Sequence, residues 1–254
     1  RVLDGVDVAP DAAWRGNAAH DILHGWFQQA QAAPGTLQTI ARAELDRMSA
    51  HPLMRSLWRP RLLRALEWVE SEVVRLAAEG RTIGDTEVDG STEIRGVKIH
   101  ARADRIDRMP GGQLAVVDYK SGAPPSAKRV AAGYALQLGT IGLIAEAGGF
   151  APLHGEPAAF EYWSLGANKD SASGFGYMKT PVLLPGKRSG MPLEDFLPHC
   201  RRMLMDALDT WILGDAPFSA VMAPDFAGFN DFDQLMRLDE WQARALRQAE
   251  GEGA

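Results

Sequence analysis

The chain has 254 residues, 46% of them apolar and 24% charged, with 27 basic and 33 acidic side chains and a net charge of −6. That composition belongs to a folded protein of one large or two small domains, and it excludes a disordered chain, a collagen-like chain and a coiled-coil rod. No run of ~18 apolar residues is present to span a membrane as a helix, and the single cysteine, Cys200, excludes an internal disulfide, a four-cysteine zinc site and a cysteine-ligated iron–sulfur cluster.

The first 80 residues read as helix. Ala19, Ile22, Leu23, Trp26 and Phe27 recur at helical spacing within 17–31. Pro34-Gly35 closes that segment, and further helices are expected over roughly 36–50 and 53–79, with Gly80 as the stop. The pattern then changes. Short alternating runs separated by Gly90, Gly96 and Pro110-Gly111-Gly112 predict strands near 83–89, 96–107 and 113–120, the last two joined as an antiparallel hairpin. Helical spacing returns over 126–147, and 158–165 reads as another strand. A stretch rich in Gly, Ser, Lys and Asp over 167–190 reads as loops with one short strand near 177–184. A helix over 193–213 carries Phe196, Leu197, Cys200, Leu204 and Trp211 on its apolar side, and a last helix is expected around 231–249. Helices, a mixed sheet with a crossover helix, then more helices predict an α/β fold: a mixed β-sheet core with flanking helices and a helical N-terminal extension.

The hairpin carries the chemistry. Strand residues two apart share a face, so Asp118 and Lys120 point the same way. With the turn centred on Gly111 and no bulge, residue i pairs with residue 222 − i, which sets Asp104 opposite Asp118, with Cβ atoms ~4.5–5.5 Å apart. Opposed like charges destabilise a sheet, and Asp is disfavoured in strands. Two carboxylates among Leu114, Val116 and Val117 therefore call for a compensating cation. Lys120 supplies one charge, and a divalent ion bound through oxygen (magnesium, manganese or calcium) would supply two more. The alternative is a surface cluster of ordinary ion pairs. Asp107, an odd number of residues from Asp104, faces the other way and reads as structural.

These residues resemble a known family. Ala103-Asp104-Arg105-Ile106-Asp107, then Val116-Val117-Asp118-Tyr119-Lys120-Ser121-Gly122, then Gln137-Leu138, is similar to the PD-(D/E)XK nuclease superfamily, and within it to the RecB-type exonuclease branch. The opening segment from Asp11 through His20 to Leu23 is similar to that branch's first helix. The segment from Asp231 to Trp241 resembles the end of AddB-type helicase–nuclease subunits. The resemblance implies a restriction-endonuclease-like core and a magnesium-dependent DNA exonuclease, with manganese or calcium able to bind in its place. It implies that Asp104 and Asp118 hold the metal with help from His20 and the Tyr119 backbone carbonyl, that Lys120 holds the attacking water or the phosphate, and that Gln137 joins the catalytic set. Glu87 takes an outer carboxylate position. Where the family often has a Tyr, four residues after the Gln, this chain has Ile141, and Tyr134 is the nearby substitute. The implied partners are DNA and an AddA-like helicase–nuclease subunit, and the implied role is double-strand break repair and recombination in the cytoplasm. The chain opens on Arg1 without a signal-peptide pattern, which sets up a single nuclease domain (1–80 helical, 81–166 core, 167–254 loop and C-terminal helices) as a fragment of a longer protein. The alternatives are a catalytically silent DNA-binding or docking module, and a free-standing RecB-like exonuclease.

The remaining features carry plainer readings beside functional ones. The acidic total argues against a nucleic-acid coat, but where charge sits matters more than its sum. Arg102, Arg105, Lys128 and Arg129 lie near the hairpin in sequence and are candidate DNA contacts. Arg55, Arg59, Arg61 and Arg64 form a solvated helix face or a backbone contact. His20 and His24 stand at i and i+4, a spacing able to bind zinc; His24 reads as packed or solvated. Trp26, Trp68 and Trp211 read as core, while Tyr162-Trp163, on an expected strand edge, is the pair suited to base stacking.

Overall fold

The computed structural model describes residues 12–48, 57–187 and 189–217, with side chains from residue 15 onward in the first helix. Arg1–Leu208 forms one compact unit and Asp209–Ala254 a second. In chain order the first unit contains α1 (Ala12–Ala30), α2 (Leu37–Met48), α3 (Arg59–Ala78), β1 (Thr82–Ile94), β2 (Val97–Arg108), β3 (Leu114–Lys120), α4 (Ala127–Ala131), α5 (Gln137–Glu146), β4 (Pro157–Ala167), β5 (Phe175–Lys179) and α6 (Leu193–Ala207). The predicted α/β architecture is present: a five-stranded mixed sheet flanked by helices, with a helical N-terminal part. Among the described residues no helix is long and apolar enough to cross a membrane. The expected helix at 231–249, with Asp231 to Trp241, lies outside the described residues, as do Asp11 and Arg55.

The sheet order is β1-β2-β3-β4-β5. All neighbours are antiparallel except β3 and β4, which run parallel and are joined by the α4–α5 crossover. Side chains alternate across the sheet, so each face builds its own core. Ile106, Val116 and Phe160 pack with Leu138 and Ile141 of α5 and Phe196 of α6. Val117, Tyr119 and Trp163 pack on the other face with Ala19, Ile22 and Trp26 of α1 and Leu66 and Val69 of α3. Cys200 is buried, and burial pushes its thiol up to about 11.

Several expected elements differ, each for a local reason. The predicted 83–89 strand runs on to Ile94 and pairs along nearly the whole of β2 through a two-residue Arg95-Gly96 turn. Gly90, read as punctuation, lies inside β1 because the Phe150 ring packs over it: a Cβ there would sit 2.3 Å from Phe150. The expected 126–147 helix is two helices, broken at Gly133, whose φ of +82° no helix interior accepts. The short strand lies at Phe175–Lys179 rather than 177–184. The 193–213 helix ends its α form at Ala207, and Trp211, expected in the core, is 42% exposed. Tyr162 and Trp163 are not on an edge. They lie on β4, between β3 and β5, and both are buried.

A buried ionic network fixes the N-terminal face of the sheet. The Arg81 guanidinium donates to both oxygens of Glu161 (2.7 and 2.9 Å) and to Asp107 Oδ2 (2.7 Å). Arg105 donates to both oxygens of Asp107 (2.6 Å each) and to the Tyr119 hydroxyl (3.0 Å), with its Cζ 4.3 Å from the Trp163 ring. The Trp163 indole N–H donates to Glu161 Oε2 (2.9 Å). Two cations and two anions cancel, and burial of both guanidiniums is offset by these partners, which hold their pKa values above the usual range. Asp107 is thus structural, on the face opposite Asp104. Arg105 is 1% exposed and reaches no solvent, so the expectation that it contacts DNA is overturned.

Candidate metal and catalytic site

The site forms where β1, β2 and β3 meet the first turns of α5 and the middle of α1. The β2–β3 ladder pairs Arg105 with Val117, Ile106 with Val116, Asp107 with Ala115 and Arg108 with Leu114, each pair summing to 222. Beyond Arg105 the ladder gives way, and the Asp104 carboxylate takes over the next strand bond: Asp104 Oδ2 accepts from the Tyr119 N–H at 2.8 Å. On β1 the pairs Thr86–Arg105 and Val88–Ala103 bracket Glu87 against Asp104. Glu87 has φ +52°, a left-handed conformation costing about 1–3 kcal/mol for a residue with a side chain. Such strain in mid-strand is held by its surroundings.

His20 reaches in from α1. Its Nδ1 lies 3.0 Å from Glu87 Oε1 and 3.6 Å from Asp104 Oδ1, and its ring meets the Tyr119 ring edge-on at 5.9 Å. Among the described residues, His20, Glu87 and Asp104 are the group whose ligand atoms lie within 4.8 Å of one another. Glu87, expected in an outer position, is therefore the nearest acidic partner of His20. Arg102, half-turned to solvent, pairs with the other Glu87 oxygen at 3.0 Å. His24 meets Thr86 Oγ1 instead (2.8 Å) and lies outside the group formed by His20, Glu87 and Asp104.

Asp118 and Lys120 follow on β3. Lys120 Nζ lies 2.7 Å from Asp118 Oδ2 and donates to Gln137 Oε1 at 2.9 Å. The ammonium therefore pairs with Oδ2 of Asp118, while Oδ1 is buried without a hydrogen-bond partner among the described residues. Tyr162, paired with Asp118 across the parallel ladder, brings a second buried polar group without a hydrogen-bond partner among the described residues, its hydroxyl. The sequence marked Tyr162 only as half of an aromatic pair; its place beside Asp118 depends on the β3–β4 register. Tyr134 sits in the turn before α5 with its ring 40% exposed, and Ile141 is buried in the core. Lys128 and Arg129 are exposed on α4.

Charge in the site is unbalanced. Burial pushes the Asp104 carboxyl up to about 6; His20 draws it down, while the Asp118 charge adds to the rise. Burial also raises Asp118, against the pull of Lys120. Burial opposes the charge on His20, but the Glu87 hydrogen bond and the Asp104 charge outweigh it and raise its pKa. A divalent cation fits this donor set: a buried Asp118 oxygen without a partner among the described residues, an imidazole, and acids that resist ionising without a counter-charge.

The sign of the resulting pH dependence is fixed. A carboxyl raised from 3.8 to about 6 on folding contributes stability below the unfolded value and loses it as pH rises through about 6, for a total of about 3 kcal/mol. In metal-free protein, Asp104→Asn is expected to melt higher than wild type at pH 7–8 and alike at pH 4. Thermal melts across pH check it, and an advantage independent of pH would contradict it.

The model of the family described as the PD-(D/E)XK nuclease superfamily matches residues 1–250. No curated protein matches the chain.

Proposed function

The chain belongs to the PD-(D/E)XK nuclease superfamily, and from that premise we propose that it is a magnesium-dependent deoxyribonuclease working from strand ends. The reading extends to a RecB-type domain spanning 1–254, most similar to the nuclease end of AddB-type subunits, acting in the cytoplasm with an AddA-like partner in double-strand break repair. One observation carries the nuclease part: Asp118 is buried, with Oδ1 lacking a hydrogen-bond partner among the described residues, close enough to Asp104 for their charges to interact and with the Lys120 ammonium 2.7 Å from its Oδ2.

A bound magnesium supplies charge neutralisation of the phosphodiester and a water of lowered pKa. Asp104 and Asp118 would hold it through carboxylate oxygens, and His20, anchored by Glu87, would close the set. Lys120 is a fixed cation beside Asp118, placed to stabilise negative charge developing on the phosphate. Gln137 accepts from Lys120 and restricts where that ammonium points. Tyr119 organises two ligands at once, through its N–H to Asp104 and its ring against His20.

The test is calorimetric titration of magnesium and manganese into wild type and His20→Ala, with linear and circular single-stranded DNA digested in parallel. Specific binding, weakened in the variant, with digestion confined to linear DNA, is the expected result. Cutting of circles would overturn the end-dependent part, and a folded wild type with no specific metal binding would overturn the enzyme reading in favour of a docking module.

A further inference from the structure

We propose that a groove beside the metal-ligand cluster binds a single strand of nucleic acid, with Arg15 and Arg61 on its phosphates and Trp58 and Phe175 against its bases. The proposal deepens the nuclease reading and rests on it for what is done to the strand, but not for the binding itself.

The groove has a volume of about 540 Å³ and is lined by Arg15 and Ala19 of α1, by Trp58, Arg61 and Leu62 at the start of α3, by Ser121 and Gly122, and by the ends of β4 and β5 that meet at Leu165 and Phe175. Two features tie it to the site. Ser121 and Gly122 directly follow Lys120, and Gly122 is pinned to β4 because Ser164, the ladder partner of Lys120, donates through Oγ to its carbonyl at 2.8 Å. On α1, Arg15 and Ala19 are four residues apart and share a face, and the metal-site His20 is the next residue round. A strand lying in the groove therefore passes within a residue or two of both His20 and Lys120.

The lining suits a polyanion with apolar bases. Among the described residues no carboxylate lines the groove, although the chain as a whole carries −6. Arg15 and Arg61 are exposed, and among the described residues neither has an acid within ion-pair distance, whereas Arg47, Arg59 and Arg75 each do. Guanidiniums held at the rim of a groove take phosphates in this way, and aromatic faces take bases without regard to sequence. Trp58 and Phe175 are half-buried, anchored against the core cluster on this side of the sheet with part of each ring left to the groove. The volume is that of a small-ligand cleft, enough for a nucleotide or two of one strand and too little for a duplex. The bland alternative is a solvated crevice with two surface arginines. The two arginines without an acid partner among the described residues, and the shared boundary with Lys120, weigh against it.

The experiment uses the full 254-residue chain without divalent ions, so that binding is read apart from cleavage. A fluorescein-labelled oligothymidylate and a duplex of equal length are titrated by anisotropy at several salt concentrations. Wild type is expected to favour the single strand. Arg15→Gln with Arg61→Gln, both surface changes, should weaken that binding about ten-fold and flatten the log–log salt slope by about 1.4, the loss of two phosphate contacts. Trp58→Ala should weaken binding at least five-fold at an unchanged slope, and Trp58→Phe should restore most of it. A Cβ at Gly122 meets nothing within 4 Å, so Gly122→Leu should fill the groove and compete with the strand. Unchanged affinity and slope in the double arginine variant, or equal binding of duplex and single strand, would overturn the proposal. A wild type that binds the strand through this groove but never cuts it overturns the nuclease reading and leaves the groove standing.

Discussion

Asp118→Asn is expected to lose about 10³-fold or more in DNA cleavage, while its metal-free form melts no lower than wild type at pH 8. The loss follows from what the carboxylate does. It is the most buried acid of the set, and among the described residues its charge meets one cation, Lys120, at Oδ2, leaving Oδ1 for the proposed metal. Removing it takes away a metal anchor that stabilises the transition state by several kcal/mol, or roughly three powers of ten. The stability half follows from the same burial. Without metal, an ionised Asp118 is held above its ordinary pKa by desolvation, against the pull of Lys120, so the neutral amide relieves the folded state. Lys120 keeps Gln137 and partial access to water. Magnesium should then invert the order, since only the wild type gains the linkage stabilisation of a bound ligand. Cleavage rates together with melts with and without magnesium read both halves. A variant that cuts at the wild-type rate, or that gains as much from magnesium, would sink the assignment.

Arg105→Met is expected to cost about 3–5 kcal/mol in stability, because it strips Asp107 of a bidentate partner in a fully buried setting and leaves the Tyr119 hydroxyl without its donor. Several kcal/mol is a large share of the 5–15 typical of a folded domain. Urea denaturation is the measurement. A second reading separates a mere core defect from an effect on the site. Tyr119 carries the N–H held by Asp104 and the ring set against His20, so magnesium affinity in the folded variant should fall about 10- to 100-fold. Adding Asp107→Leu removes the stranded acid and should recover part of the stability without recovering the affinity. A cost under about 1 kcal/mol would show that Arg81 alone suffices for Asp107.

What was readable from sequence, and what was not, divides along a physical line. The class of the fold, the helical start and the Pro-Gly-Gly hairpin follow from period and turn chemistry, which are local. So does the parity that puts Asp118 with Lys120 and turns Asp107 away from Asp104. The role of Glu87 as the immediate partner of His20 was not readable, because it depends on how β1 registers against β2 across an irregularity between Ile83 and Asp85 and on an unusual φ. The β4 residues suffered most. Tyr162 and Trp163 look like an exposed aromatic pair until the parallel β3–β4 ladder buries them. That ladder is closed by a crossover whose partner choice no local pattern encodes. Arg105 misled for the opposite reason: a charged residue beside two catalytic-type acids suggests a rim, yet its parity sends it into the interior.

The wide sequence separation of the site's parts has a consequence in time. His20 meets Glu87 across 67 positions, and Arg81 meets Glu161 across 80. Contacts of that span form late, after the cost of closing long loops has been met. Strand β3 also stays open on one side until β4 arrives from beyond the crossover. During synthesis, the emerging chain therefore carries Glu87, Asp104 and Asp118 before β4 arrives to complete their surroundings. Cutting ability should switch on only with the finished fold, so that a half-made or unfolding copy is harmless to the nucleic acid around it.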